Sequence, residues 1–200
     1  MPRRVETTIL QRENLQREKT MNKELTRKFD VSSADIGASE LSRELRRGTG
    51  DRLARRRGIA ALSLVALGSM GMISLYQLGL IKHLPEPPLP RLNADKVDAS
   101  AEAYKKLSMP DAVLGLNSYA VTLALTAMGG EDRVRTAPWI PLVLAAKVAV
   151  DAVQAGKLTW DQWAEHRAFC SWCLLAAGAT FATVPLAVPE ARQAWHHLTS

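Results

Sequence analysis

The stretch FCSWCLLAAGATFATVPLAV, Phe169 to Val188, decides how this chain is read. It holds the only two cysteines, Cys170 and Cys173, at the mouth of an apolar run long enough to cross a bilayer. Three residues apart on a helix, two side chains share a face and reach disulfide distance with little adjustment. A thiol at a helix N-terminus meets the positive end of the macrodipole, which favours the thiolate. The pattern predicts a redox dithiol held at a membrane surface. Two small apolar residues packed in a membrane helix would look similar. Zinc is a further rival, since His166 shares the helical face, but a closed site needs four ligands and there is no second cysteine pair. No metal is therefore expected. A c-type haem motif would need histidine at Leu174, and a thioredoxin-like site would need a βαβ pattern.

Outward from this stretch lie three more apolar runs. Residues 58–81 form the first, with no charge inside and too far from Met1 to read as a cleaved signal peptide. Gly68 and Gly71, with Ser69 and Ser74, suggest its close-packing face. Residues 112–130 form the second, polar for a span, with Asn117, Ser118, Tyr119, Thr122 and Thr126. Residues 138–155 form the third, opened by Pro138 and Trp139. It carries Lys147 and Asp151 at i, i+4, where they can pair; Lys147 either faces the bundle or snorkels outward. With residues 168–188 the expectation is an all-α integral membrane protein, an antiparallel four-helix bundle over 58–191 with a short tail at 192–200.

The mean hydropathy near zero conceals a division. Residues 1–58 carry 15 Lys/Arg against 9 Asp/Glu, and the remaining 142 carry 11 of each. The whole net charge of +6 belongs to a basic N-terminal arm, 1–57, too polar to bury a core. A short helix is expected over Ser39–Arg47, stopped by Gly48 and Gly50. The arm lacks aromatic stacking residues or a nucleic-acid motif, so no nucleic acid is expected. Arg52, Arg55, Arg56 and Arg57, directly before an apolar helix, suit an anionic lipid surface. The arm and the Arg133/Arg135 turn place the N-terminus in the cytoplasm by the positive-inside rule. The proline-rich loop 83–110, with a short amphipathic helix at 101–107, and the CxxC then face outward, where disulfides persist.

The four-helix plan, the Leu107–Leu116 stretch opening the second helix, and Phe169-Cys170-Ser171-Trp172-Cys173 opening the fourth together resemble the vitamin K epoxide reductase family. The resemblance covers roughly 58–191. It implies a multi-pass protein of the bacterial inner membrane passing electrons from an external thioredoxin-like dithiol to a membrane quinone of ubiquinone or menaquinone type. It makes Cys170 the surface sulfur that exchanges with the incoming thiol and Cys173 the deeper one beside the quinone. It puts quinone contacts at Asp111, where an amide is usual, and at Ala177, where a tyrosine is usual. Leu114, Ser118 and Thr180 complete the expected pocket, Thr180 replacing part of the tyrosine contact. Family members carry a second cysteine pair in the outer loop. Here Asp95, Asp98 and their neighbours stand in that region, with Ser100 or Ala101 at the place of a loop serine. The second function class is therefore a non-catalytic four-helix protein of the same fold that binds quinone, lipid or a partner. His166, four residues before Cys170, is either a thiolate partner or a solvated loop histidine.

Overall fold

The structure, a computed structural model, describes residues 16–17, 19–21, 37–104 and 109–200. The chain divides into two compact units, 1–48 and 49–200. In the first, residues 37–47 form helix α1, as the Ser39–Arg47 pattern predicts. The Gly48 N–H closes it on the Glu44 carbonyl at 2.8 Å.

Among the described residues, every regular element of the second unit is a helix. It comprises α2 (Asp51–Gln77), α3 (Ala94–Asp98), a 3₁₀ turn (Ala101–Tyr104), α4 (Asp111–Ala127), α5 (Arg133–Thr136), α6 (Trp139–Asp161) and α7 (Ser171–Thr199). A π-helical turn, Gln162–His166, continues α6. Among the described residues, three helices are long and apolar enough to cross a membrane: Asp51–Gln77, Trp139–His166 and Ser171–Thr199. Their outer faces carry exposed Leu64, Val143, Val150, Val153 and Phe181, residues that water would penalise and lipid accepts. α4 is shorter, 17 residues, and packs chiefly on α2. Of the expected helix at 101–107, the 3₁₀ turn covers the first part, and Lys105–Leu107 lie outside the described residues. α7 runs on through 192–199, so the tail is helical.

The close face of α2 agrees with expectation at Ser69 and Ser74, which are buried, and differs at the two glycines. Gly68 and Gly71 have open space where a Cβ would stand, so they are not what brings helices together. The buried face is Ser63, Ala66, Ser69 and Ile73, and Ala66 packs with Ala176 and Ala179 of α7. The tight approach to α4 is at Gly115, where a Cβ would stand 2.7 Å from the Met70 sulfur. Small side chains do the work in both places, because in lipid helix association rests on contact rather than on water exclusion.

The end of the bundle away from the cysteines is closed by two buried arginines. Arg56 donates to the carbonyls of Thr126, Met128, Gly129 and Gly130 at 2.9–3.1 Å. Arg133 makes a bidentate pair with Glu190 at 2.6 and 2.7 Å. It also donates to the carbonyls of Leu125, Thr126 and Met128. These are the orphan carbonyls that any helix C-terminus leaves over. Arg56 is thus not the lipid contact expected of it, since its guanidinium is spent on α4. Arg133 likewise lies fully buried and charge-paired, which leaves the exposed Arg135 as the surface charge of that turn.

Candidate functional site

At the opposite end the loop after α2 folds back over the start of α7. The backbone makes a one-residue parallel bridge, Leu92 to Phe169. Asn93 N–H donates to the Phe169 carbonyl at 2.9 Å, and Phe169 N–H to the Arg91 carbonyl at 2.8 Å. Side chains fasten the same contact. Trp172 Nε1 donates to the Pro85 carbonyl at 2.8 Å. Glu86 accepts from Ala94 N–H at 2.7 Å and from Ser171 Oγ at 3.2 Å. Within the loop, Asp95 accepts from Leu84 N–H at 2.9 Å and faces His83 Nδ1 at 2.8 Å. Burial opposes the charge on Asp95, but these two partners prevail and hold its carboxyl below the ordinary value. Leu84, Ala94 and Val97 are thereby pressed against Ile73, Ala112, Ala168 and Cys170.

Cys170 is the N-cap of α7. Its Sγ accepts from Cys173 N–H at 3.1 Å, and its own N–H donates to Gln162 Oε1 at 3.0 Å. Both cysteines are free thiols. Cys170 has no accessible surface, whereas Cys173 is half-buried. This reverses the expected order of exposure: the sulfur nearer the surface by helix position is the covered one, because the loop cap lies over it. Gln162 takes the backbone place next to Cys170. His166 is held differently, its carbonyl accepting from Lys96 Nζ at 2.8 Å.

Sequence reasoning passed over Asp98. It ends α3 and is 4% exposed, and its carboxylate lies against the thiols. Cys173 Sγ donates to Oδ1 at 3.5 Å, while the buried Oδ2 has no partner. One carboxylate oxygen and the two sulfurs lie within 4.8 Å of one another. Burial pushes the Asp98 carboxyl up to about 6; Glu86 and Asp111 add to this, and the two thiols facing it pull the other way. The three donors are one short of a closed zinc site, and among the described residues no fourth belongs to the group.

The residues expected to line one pocket are divided among three places. Asp111 accepts from Gln77 Nε2 at 2.8 Å and belongs to the loop cap. Gln77 also binds the Asp98 carbonyl through Nε2, at 3.3 Å, and Ala112 N–H through Oε1. Ser118 belongs with Lys147, whose Nζ reaches Ser118 O and Oγ, Thr122 Oγ1 and Asp151 at 2.5–2.9 Å. Lys147 therefore turns into the bundle toward α4 and does not snorkel. Thr180 shares a 2.8 Å hydrogen bond with the Tyr119 hydroxyl. Both line a narrow crevice with Leu62, Thr122, Asp151 and Thr183. Leu114 is half-buried on α4 and Ala177 buried on α7. A phenol hydroxyl is thus present beside α7, but it comes from α4, which a search along α7 alone does not find.

A family model described as the vitamin K epoxide reductase family matches residues 58–188. No curated protein matches the chain.

Proposed function

The chain belongs to the vitamin K epoxide reductase family, and on that premise we propose a membrane thiol–disulfide oxidoreductase that passes electrons from an external dithiol protein through Cys170 and Cys173 to a membrane quinone. The observation that carries this reading is two free sulfurs side by side at the buried mouth of a membrane-length helix. In the reductive half, a donor thiolate attacks the Cys170 sulfur of the disulfide and Cys173 leaves as thiolate. The Cys173 N–H aimed at the Cys170 sulfur steadies charge there when the pair is reduced. A thioredoxin-like partner is the donor class, and it reaches Cys170 only when the loop cap lifts. In the oxidative half the dithiol closes again and a quinone of ubiquinone or menaquinone type accepts two electrons and two protons.

The quinone pocket we assign to the crevice that Thr180 lines with Tyr119; Leu114, Ser118 and Ala177 lie on the same two helices, α4 and α7, while Asp111, held by Gln77 in the loop cap, stands apart from it. The Tyr119–Thr180 hydroxyl pair in the crevice fits it, offering polar contacts to a quinone oxygen in the middle of an apolar wall. In this reading α4 is the fourth span and the protein lies in a bacterial inner membrane, N-terminus cytoplasmic and CxxC outward. Arg52, which also pairs with Asp132, and Arg55 and Arg57 beside it are the cations we assign to anionic lipid.

The test uses the full chain in lipid nanodiscs loaded with quinone and supplied with a reduced thioredoxin-like protein. Wild type forms quinol, and Cys170→Ala and Cys173→Ala each lose about 1000-fold or more. Given the oxidised form of that thioredoxin-like protein instead, Cys173→Ala captures it through attack of the Cys170 thiolate on its disulfide, as a mixed disulfide seen on non-reducing gels. Wild type that forms no quinol, with no adduct in Cys173→Ala, makes the non-catalytic four-helix protein the better reading.

A further inference from the structure

Asp98 is costly and does no visible structural work with its side chain. Its backbone carbonyl, not its carboxylate, is what Gln77 holds. The carboxylate is buried against the two thiols, with a long hydrogen bond from Cys173 and an oxygen left without any. Burying a carboxylate so poorly satisfied costs free energy that a Leu or Asn there would not. The charged groups facing it are anionic: Glu86 from the loop and Asp111 from α4, with the Tyr76 phenol of α2 near by. No nearby cation explains its presence among the groups acting on it. What it does have is contact with the sulfur that must lose and regain a proton in each cycle.

We propose that Asp98 is a catalytic residue of this dithiol, the base that takes the Cys173 thiol proton as the pair is oxidised and returns it as the pair is reduced. The assignment rests on the thiol–disulfide reading of the site. Oxidation breaks two S–H bonds and forms the Cys170–Cys173 S–S bond, releasing two electrons and two protons. The electrons go to the quinone with two protons, the one from Cys170 and one from water; the Cys173 proton stays on Asp98 Oδ1 until the pair is reduced. Disulfide formation also removes the thiol donors that stabilise the carboxylate, so Asp98 is more readily protonated when the pair is oxidised. In the reductive half the protonated acid neutralises the departing Cys173 thiolate. The outer loop, which lacks cysteines, contributes a proton carrier at the CxxC.

Two measurements on the full chain in nanodiscs test this. The first is an infrared difference spectrum between protein reduced with dithiothreitol and protein oxidised with diamide, near pH 7. A carboxylic C=O band appears on oxidation in wild type and is absent in Asp98→Asn. The second is single-turnover oxidation of the pre-reduced protein by a soluble quinone. The wild-type rate falls about tenfold from pH 7 to pH 5, as the carboxylate is titrated away. Asp98→Asn is about 100-fold slower at pH 7 and loses that limb, and Asp98→Glu recovers most of the rate. Helical circular dichroism confirms that each variant folds. A wild-type spectrum without the band, or Asp98→Asn with the wild-type rate or an unchanged pH profile, overturns the assignment. If wild type shows the band but transfers nothing to quinone, the quinone reading fails while Asp98 stands.

Discussion

The two ends of the bundle both bury ionisable groups and treat them in opposite ways. At the arginine end, Arg133 and Glu190 satisfy each other with two parallel hydrogen bonds, and the remaining guanidinium donor goes to helix carbonyls. Arg56 is saturated by four carbonyls. At the cysteine end, Asp98 lies against the two thiols, with a long hydrogen bond from Cys173 and an oxygen with no partner. A saturated charge has nothing left to offer a substrate and serves only the fold. An unsaturated one keeps its capacity to gain a proton, and the fold must carry its cost.

That contrast is broken most severely at the arginine end. Arg133→Met strands the Glu190 carboxylate and takes a donor from the Leu125, Thr126 and Met128 carbonyls, the last two still served by Arg56, and removing one partner of a buried pair costs about 3–5 kcal/mol. Thermal unfolding in detergent, followed by circular dichroism, should show the loss. The double variant Arg133→Met/Glu190→Met should recover part of it, since it leaves no stranded carboxylate.

The cysteine end should respond with the opposite sign. The folded-state carboxyl of Asp98 is raised to about 6 from an ordinary value of 3.8. Below about pH 4 both states are protonated and the residue costs nothing through its charge. As pH rises through 6 the folded state must ionise in a poor environment, a penalty on the order of 3 kcal/mol. Asp98→Asn should therefore be more stable than wild type at pH 7 by up to about that amount. The difference should close as the pH approaches 4. Equal stabilities at both pH values would mean that Asp98 is solvated and the contrast false.

A smaller effect is expected in the cap. Glu86→Ala removes the acceptors of Ala94 N–H and Ser171 Oγ, two bonds worth about 1 kcal/mol each. Opening should become easier, and maleimide labelling of Cys170 should accelerate by about tenfold in the reduced protein. Unchanged labelling would show that the backbone bridge at Leu92 and Phe169 holds the cap by itself.

How much of this was legible beforehand follows from how local each signal is. The apolar runs and the CxxC are contiguous in sequence, and the three long helices and the proximity of the sulfurs followed from them. The closure of α4 was not legible, because an arginine before an apolar helix reads as an interface charge wherever its guanidinium goes. The Arg133–Glu190 pair joins residues 57 apart. The burial of Cys170 depends on a loop far from it in sequence, and helix position alone gave the reverse order. Asp98 carries no motif. The available hint was negative: a loop where relatives keep cysteines here keeps acids, and one of those acids was free to approach the remaining pair.

The brevity of α4 bears on the bilayer itself. Seventeen residues rise about 26 Å, less than the roughly 30 Å of a typical hydrocarbon core. Read as a span, α4 ends its hydrogen-bond ladder before the lipid ends, and the guanidiniums of Arg56 and Arg133 replace the headgroup water that its carbonyls would otherwise find. Lipid beside this flank must thin or admit polar groups, at fractions of a kcal/mol per Å, while α6 and α7 impose no such demand. On that reading of α4 the protein would be asymmetric in hydrophobic thickness around its circumference. It would then have a preferred flank toward thinner bilayer, set by the arginines rather than by the cysteine pair.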